Sequence, residues 1–396
     1  MIDLLTNALL LSPIPIQYTG NYCSHKCVYC FANINNPKRK TDIAKLNSLL
    51  KNYKNRSDLT SYFMREKYPI IISNNIDPFS KSNQPFVNDL IYTLKDLGIP
   101  VVLATRGGIG TEILKDLSPT VLYVSIPYDS EEKRQKYEPN APSLEQRYDL
   151  IDFAIKQGHK VICSINPFNP KFAENPIPIA EKVKNLGVKS ILINKLHLTS
   201  PQQANLTDKE KSIMGEDLLI ECKIKGFTKE WLNNAINLHE YTSENRMNLI
   251  GFDSGLSQSN YIEFKQCYNK LLPTIYDWFN WCAENKKEND IIYFEEFYNF
   301  FSNLLPNTNA DLSKYIVNRY NLKDKDFYKT MDLRNILHLL WEHPNLNIGI
   351  AKHFPVFSYV KKQYSNKLDY LYDNEHNKTM IYTPYNFNTN ENFIIE

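Results

Sequence analysis

VNDLIYTLKDLGIPVVLATRG, residues 87–107, changes hydrophobic period halfway along. Val87, Leu90, Ile91 and Leu94 recur at helical spacing, and Gly98 stands where helices commonly end. Ile99 to Ala104 is then apolar on both faces, as a strand buried between layers must be. Arg106 and Gly107 restore polarity directly after it. Helix, glycine, buried strand and polar loop make one βα unit.

The same rhythm runs in both directions from there. The strand-like runs are PIPIQYT, YPIIISN, IPVVLAT, TVLYVSI, KVICSIN and KSILIN, with MNLIGF a weaker seventh. Helical stretches such as PSLEQRYDLIDFAIKQG and PIAEKVKNLG lie between them. The alternation predicts an α/β fold with a parallel sheet, a partial (β/α)6 barrel over residues 1–255, whose chemistry sits at the C-terminal ends of the strands. Past residue 256 the texture turns to aromatic-rich helices such as YFEEFYNFFSNLL and DLRNILHLLWEH. A mainly α-helical extension is expected over 256–396, with a polar, Asn-rich tail from about 373.

The chain of 396 residues is long enough for two or three cores, and 42% hydrophobic with 23% charged residues is ordinary for a globular protein. A net charge of +2 gives no global pull toward nucleic acid or membranes. In MIDLLTNALLLSPIPI, Asp3 stands where a signal peptide carries a base, and Pro13 and Pro15 break the run, so neither a signal nor a span is expected. Seven unevenly placed cysteines do not make a disulfide scaffold and point to a reduced, cytoplasmic setting.

Three of those cysteines fall together in CSHKCVYC, residues 23–30, just after the first strand. Thiolates are soft ligands, suited to iron–sulfur clusters or zinc. Cys23, Cys27 and Cys30 holding a four-iron cluster would leave one iron open to a small chelating molecule. The rival is a zinc site with His25 as fourth ligand, whose alternate-position wrap is unlike the usual zinc spacings.

C-x3-C-x2-C with an aromatic residue, Tyr29, before its last cysteine resembles the radical S-adenosylmethionine (SAM) superfamily. The resemblance implies a [4Fe–4S] cluster on Cys23, Cys27 and Cys30 whose open iron chelates SAM. It further implies reductive cleavage of SAM to a 5′-deoxyadenosyl radical that takes hydrogen from substrate, with flavodoxin or ferredoxin as electron donor. Residues 14–200 are most similar to the branch of spore photoproduct lyase and DNA repair photolyase-like proteins. Asp77-Pro78-Phe79 with Gln84-Pro85, Thr105-Arg106, Glu138-Pro139 through Ala141-Pro142-Ser143 to Arg147, and Pro167 with Pro170 carry that similarity. This chain departs from the pattern in placing Gln84-Pro85 further along, in having Phe86-Val87-Asn88 where a Glu is usual, and in Arg106 for a lysine.

For SAM itself, Asn74, Asn75 and Asp77 follow the second strand and suit its ammonium. Arg106 suits the carboxylate, because a guanidinium can grip it bidentately. Ser125 in the fourth strand suits the ribose or methionine end. Tyr29 and Phe31 flank Cys30 as adenine contacts, Arg147 is expected in the cavity, and Asn166 closes the fifth strand. Period-two alternation puts Cys163 on the face opposite Ser164 and Asn166, so it is expected to pack against helices.

Three substrate readings follow. One is a nucleic-acid base or lesion, by resemblance. The second is a peptide or small metabolite in a barrel capped by the C-terminal helices. The third is a non-catalytic iron–sulfur or zinc-binding module.

Overall fold

A computed structural model describes residues 4–6, 12–18, 20–35, 40–72, 76–223, 227–250, 262–304, 332–342, 357–364 and 366–384. Eight strands form one sheet in sequential order: β1 (Leu4–Thr6), β2 (Ile16–Tyr18), β3 (Ile70–Ile72), β4 (Val101–Thr105), β5 (Val121–Ser125), β6 (Lys160–Phe168), β7 (Ser190–Lys195) and β8 (Asn248–Ile250). Strands β2 to β8 run parallel, while β1 adds antiparallel to the β2 edge. An order that never reverses winds the sheet one way, as in a barrel and unlike a doubly wound fold. The weaker run MNLIGF supplies β8, one parallel strand more than the six expected. β1 was not foreseen, since the first residues read as an apolar run without alternation.

Alternation along each strand sorts the residues into two environments. Outward residues such as Ile70, Ile72, Leu103, Leu122, Val161, Cys163, Ile165 and Ile191 pack against the helices in the main core. Cys163 is fully buried there, as expected, and burial raises its thiol to about 12. Inward residues form two tiers. Val102, Val121, Ile162 and Ile250, with Ile71 and Leu192 packed against them, fill the lower tier. Above it Ala104, Tyr123, Ser125, Ser164, Asn166 and Asn194 face a cavity. One strand register thus makes the floor apolar and the mouth polar.

The helix Ile262–Cys267 closes the floor from below, with Phe264 and Tyr268 in the same inner cluster. The Tyr268 hydroxyl reaches Thr120 Oγ1 at 2.7 Å, the Val121 amide at 2.9 Å and the Val101 carbonyl at 2.7 Å. Leu272 N–H donates to Pro13 O at 2.9 Å. Residues 262–272, expected beyond a boundary at 255/256, therefore plug the barrel. Of the aromatic-rich stretch that begins there, Phe264 and Tyr268 belong to the barrel floor.

Further on, helices Ile275–Asn285, Phe294–Leu304 and Leu333–Glu342 pack around Trp278, Phe297, Phe301 and Trp341. Thr274 caps the first through a capping box with Asp277. The extension is not all helix. Ile291–Ile292, Phe357–Tyr359 and Met380–Tyr382 form a three-stranded antiparallel sheet, and Lys361–Tyr364 pairs with Lys367–Tyr370. Met380 and Tyr382 are buried, so part of the expected polar tail is core. Tail residues 385–396 lie outside the described residues. No described helix is long and apolar enough to cross a membrane.

Candidate active site: a thiol-lined cavity at the barrel mouth

The C-terminal ends of β4 to β7 and the loop after β2 enclose a cavity of about 440 Å³, within the size range of small-molecule sites. Cys23, Cys27 and Cys30 all line it. Their loop is clamped on two sides. Val28 N–H donates to Tyr137 O at 3.0 Å and Asn140 N–H to His25 O at 3.3 Å. On the other side Ser24 and Ser82 exchange backbone-to-hydroxyl bonds at 3.1 and 3.2 Å. Lys26 takes a left-handed φ of 54° at the turn between the first two cysteines.

The thiols share one environment. Burial lifts Cys23 to about 12, and the charge of Asp77 adds to it. Burial likewise raises Cys27 well above its ordinary value, with the Arg106 guanidinium opposing. Cys23 and Cys30 each disfavour ionisation of Cys27. His25 does not join them. Its Nε2 lies 3.3 Å from Asp77 Oδ2, off line for a hydrogen bond, and finds no other partner. No three His, Cys, Asp or Glu side chains among the described residues are grouped to hold a single ion.

Asp77, 2% exposed, lines the cavity but is occupied by its own loop. Its Oδ1 accepts from Phe79 N–H at 3.0 Å and Thr105 Oγ1 at 2.7 Å, and its Oδ2 from Arg106 N–H at 2.6 Å. Burial raises its carboxyl, and the His25 charge with these bonds brings it below the ordinary value. Asp77 thus braces the β3 loop to the end of β4 while its carboxylate still lines the cavity. Asn74 and Asn75 lie outside the described residues.

Arg106 lines the cavity, its side chain 23% exposed. Its Nε donates to Glu138 Oε1 at 2.7 Å and its Nη2 lies 3.4 Å from the Tyr29 hydroxyl. Arg147 does not reach the cavity wall. It is fully buried behind it, donating through Nε to Pro142 O at 3.1 Å, through Nη1 to Ser125 O at 2.8 Å and through Nη2 to Glu138 Oε2 at 2.5 Å. Its expected place in the cavity is corrected, because the helix Leu144–Lys156 turns it inward beneath β5.

Glu138 is where these groups meet. It is wholly buried, and the Tyr29 hydroxyl also donates to its Oε1. Burial alone would raise its carboxyl, but the charges of Arg106 and Arg147 hold it down at about 2. The hydroxyl of Tyr128 donates to that of Tyr29 at 3.1 Å. Tyr29 lines the cavity with its hydroxyl committed to Glu138, and its ring packs on Phe172 at 5.5 Å. Phe31, 43% exposed, stands at the mouth. Ser125 and Asn166 line the cavity as expected, with Ser125 Oγ donating to Asn166 O at 3.1 Å.

Sequence reasoning did not single out Glu138, Ser164, Asn194, Lys195 or His197 as site residues. The last four line the cavity, and the alternation that placed Asn166 also points to Ser164 and Asn194. Glu138 had a weaker signal: an acid beside a proline between two helices, with no hint of which cations it meets.

No protein-family model matches the chain, and no curated protein matches it. Solved structures to which it is similar include Streptococcus suis SuiB bound to S-adenosylmethionine, at 14% identity and TM-score 0.42, covering 64% of this chain and 54% of that one. SuiB bound to precursor peptide SuiA gives 14% identity and TM-score 0.41 over the same shares. The chain thus spans about half the length of SuiB. Spore photoproduct lyase complexed with dinucleoside spore photoproduct gives 12% identity and TM-score 0.40, covering 66% of this chain and 74% of that one.

Proposed function

We propose that the chain is a radical SAM enzyme in which Cys23, Cys27 and Cys30 hold a [4Fe–4S] cluster at the mouth of the barrel. One observation carries this: three thiols from a single loop line one cavity, while His25, the nearest candidate fourth ligand, is turned to Asp77. The donor set fits the group. As free thiols these side chains are buried and mutually unfavourable to ionise, and a cationic metal core removes that penalty. Once bound, cluster and SAM together supply one-electron cleavage of a sulfonium and abstraction of a hydrogen atom from substrate.

The protein's own groups have separate tasks. Arg106 offers a guanidinium to a carboxylate, and Ser125, Ser164, Asn166 and Asn194 offer hydrogen bonds from the strand ends. The apolar lower tier and its Phe264–Tyr268 plug seal the cavity from below, which keeps water away from a reactive centre. The exposed Phe31 and His197 at the cavity rim are the side chains an entering substrate would meet, whether a nucleic-acid base, a peptide or a small metabolite.

Anaerobic reconstitution with iron and sulfide tests the proposal. The brown protein should release 5′-deoxyadenosine when given dithionite and SAM, and Cys30→Ala should abolish both colour and release. A wild-type protein that takes up one zinc and releases no 5′-deoxyadenosine would establish the zinc-binding module instead. Oligonucleotides that speed SAM cleavage would select nucleic acid among the substrates.

A further inference from the structure

An arginine is a directional donor, useful for a carboxylate only if its fork is aimed. The lysine usual at the position of Arg106 would be a point charge and need no aiming. Arg106 is aimed by Glu138. Its Nε is tied to Glu138 Oε1 at 2.7 Å, and no described residue engages Nη1. That edge belongs to a side chain lining the cavity beside the cysteine loop.

Glu138 is in turn held from two further directions. Arg147 takes its other oxygen at 2.5 Å, Tyr29 from the cysteine loop donates to Oε1, and Tyr128 secures Tyr29. Arg147 is itself tied to the Ser125 carbonyl on β5 at 2.8 Å. A carboxylate with no exposed surface and partners on three elements cannot shift without moving all of them.

We infer that Glu138 is a positioning residue: it fixes Arg106 through Nε so that the Nη1 edge presents to the carboxylate of SAM. The inference rests on the proposed radical SAM function and assigns a role within it. Glu138 touches no ligand. It acts on the SAM carboxylate through Arg106, while Arg147 and Tyr29 hold its own carboxylate in place.

Calorimetric titration of the cluster-loaded protein with SAM, and with 5′-methylthioadenosine, which lacks the amino-acid carboxylate, tests this. Glu138→Gln should weaken SAM binding about tenfold or more and leave 5′-methylthioadenosine binding unchanged. A merely structural role would weaken both ligands or neither, and either result overturns the inference. In an Arg106→Met background Glu138→Gln should cost no further SAM affinity, because the two act as one unit; additive losses also overturn it. Should Glu138→Gln fold poorly, Glu138→Asp keeps the charge but draws the carboxylate back from Arg106 Nε. It should show the same selective loss of SAM, and wild-type SAM affinity in that variant overturns the inference. A wild-type protein that loads no cluster or binds no SAM marks failure of the underlying function, a result visible before any variant is compared.

Discussion

Replacing Glu138 by Gln removes a buried charge between two guanidiniums and nothing else of size. The carboxyl is held at about 2 against an ordinary 4.5, a drop of about 2.5 units, which at about 1.4 kcal/mol per unit is roughly 3 kcal/mol of stability at neutral pH. Breaking a buried ion pair from one side costs about 3–5 kcal/mol, the same order of magnitude. Because the folded pKa is depressed, the contribution is complete above about 4.5 and lost as pH falls toward 2. The difference between wild type and Glu138→Gln should therefore fade from about 3 kcal/mol at pH 7 to about 2 at pH 3.5 and below 1 at pH 2.5. Urea denaturation followed by circular dichroism measures it, and the thermal midpoint should drop by roughly 5–10 °C at pH 7. A difference under about 1 kcal/mol at pH 7 would refute the ion-pair network, as would one that stays constant down to pH 3. A loss of this size still leaves a typical domain folded at room temperature, so ligand binding to the variant can be measured.

Gly108→Ala should be among the more damaging single substitutions outside the core. Its Cβ would stand 2.0 Å from the Phe79 carbonyl oxygen at a φ of +146°, pushing on the loop that carries Asp77. A loss of about 2–4 kcal/mol in urea is expected, and a midpoint equal to wild type would show that the β3 loop yields freely. His159 is buried and neutral, its Nδ1 accepting from Thr120 N–H at 3.2 Å and its other nitrogen 2.8 Å from the Leu114 carbonyl. Burial lowers its pKa, so stability should fall as pH drops through the unfolded value near 6.5. His159→Gln should flatten that slope between about pH 6.5 and 5; an unchanged slope would assign it to other groups.

Much of the barrel was legible because its signals are local. Apolar strands buried on both faces and Gly-terminated helices announce themselves within a dozen residues, and all seven parallel strands lay on runs visible in the sequence. The short edge strand β1 and the three-stranded sheet of the extension were not legible, since they lie outside the βα rhythm that marks even three-residue strands such as β2, β3 and β8. Among the site residues, those at strand ends followed from alternation, as Ser125 and Asn166 show. Those whose role depends on a partner did not. Asp77 lines the cavity but also braces the β3 loop, and Arg147, expected in the cavity, lies buried behind its wall.

What the sequence by itself determined is the placement of Cys23, Cys27 and Cys30 on one loop after the first parallel strand, and the polar layer at the strand ends. Spacing and alternation are properties of a chain a few residues at a time, and the backbone's two periods convert them directly into faces. Only the tertiary structure decided that His25 faces Asp77 rather than the thiols, that residues 262–272 plug the barrel floor, and that Glu138 joins Arg106 to Arg147. Glu138 lies 32 residues from Arg106 and 9 from Arg147. Pairing among buried charges is settled by which of them the folded chain removes from water together, and no local pattern encodes that.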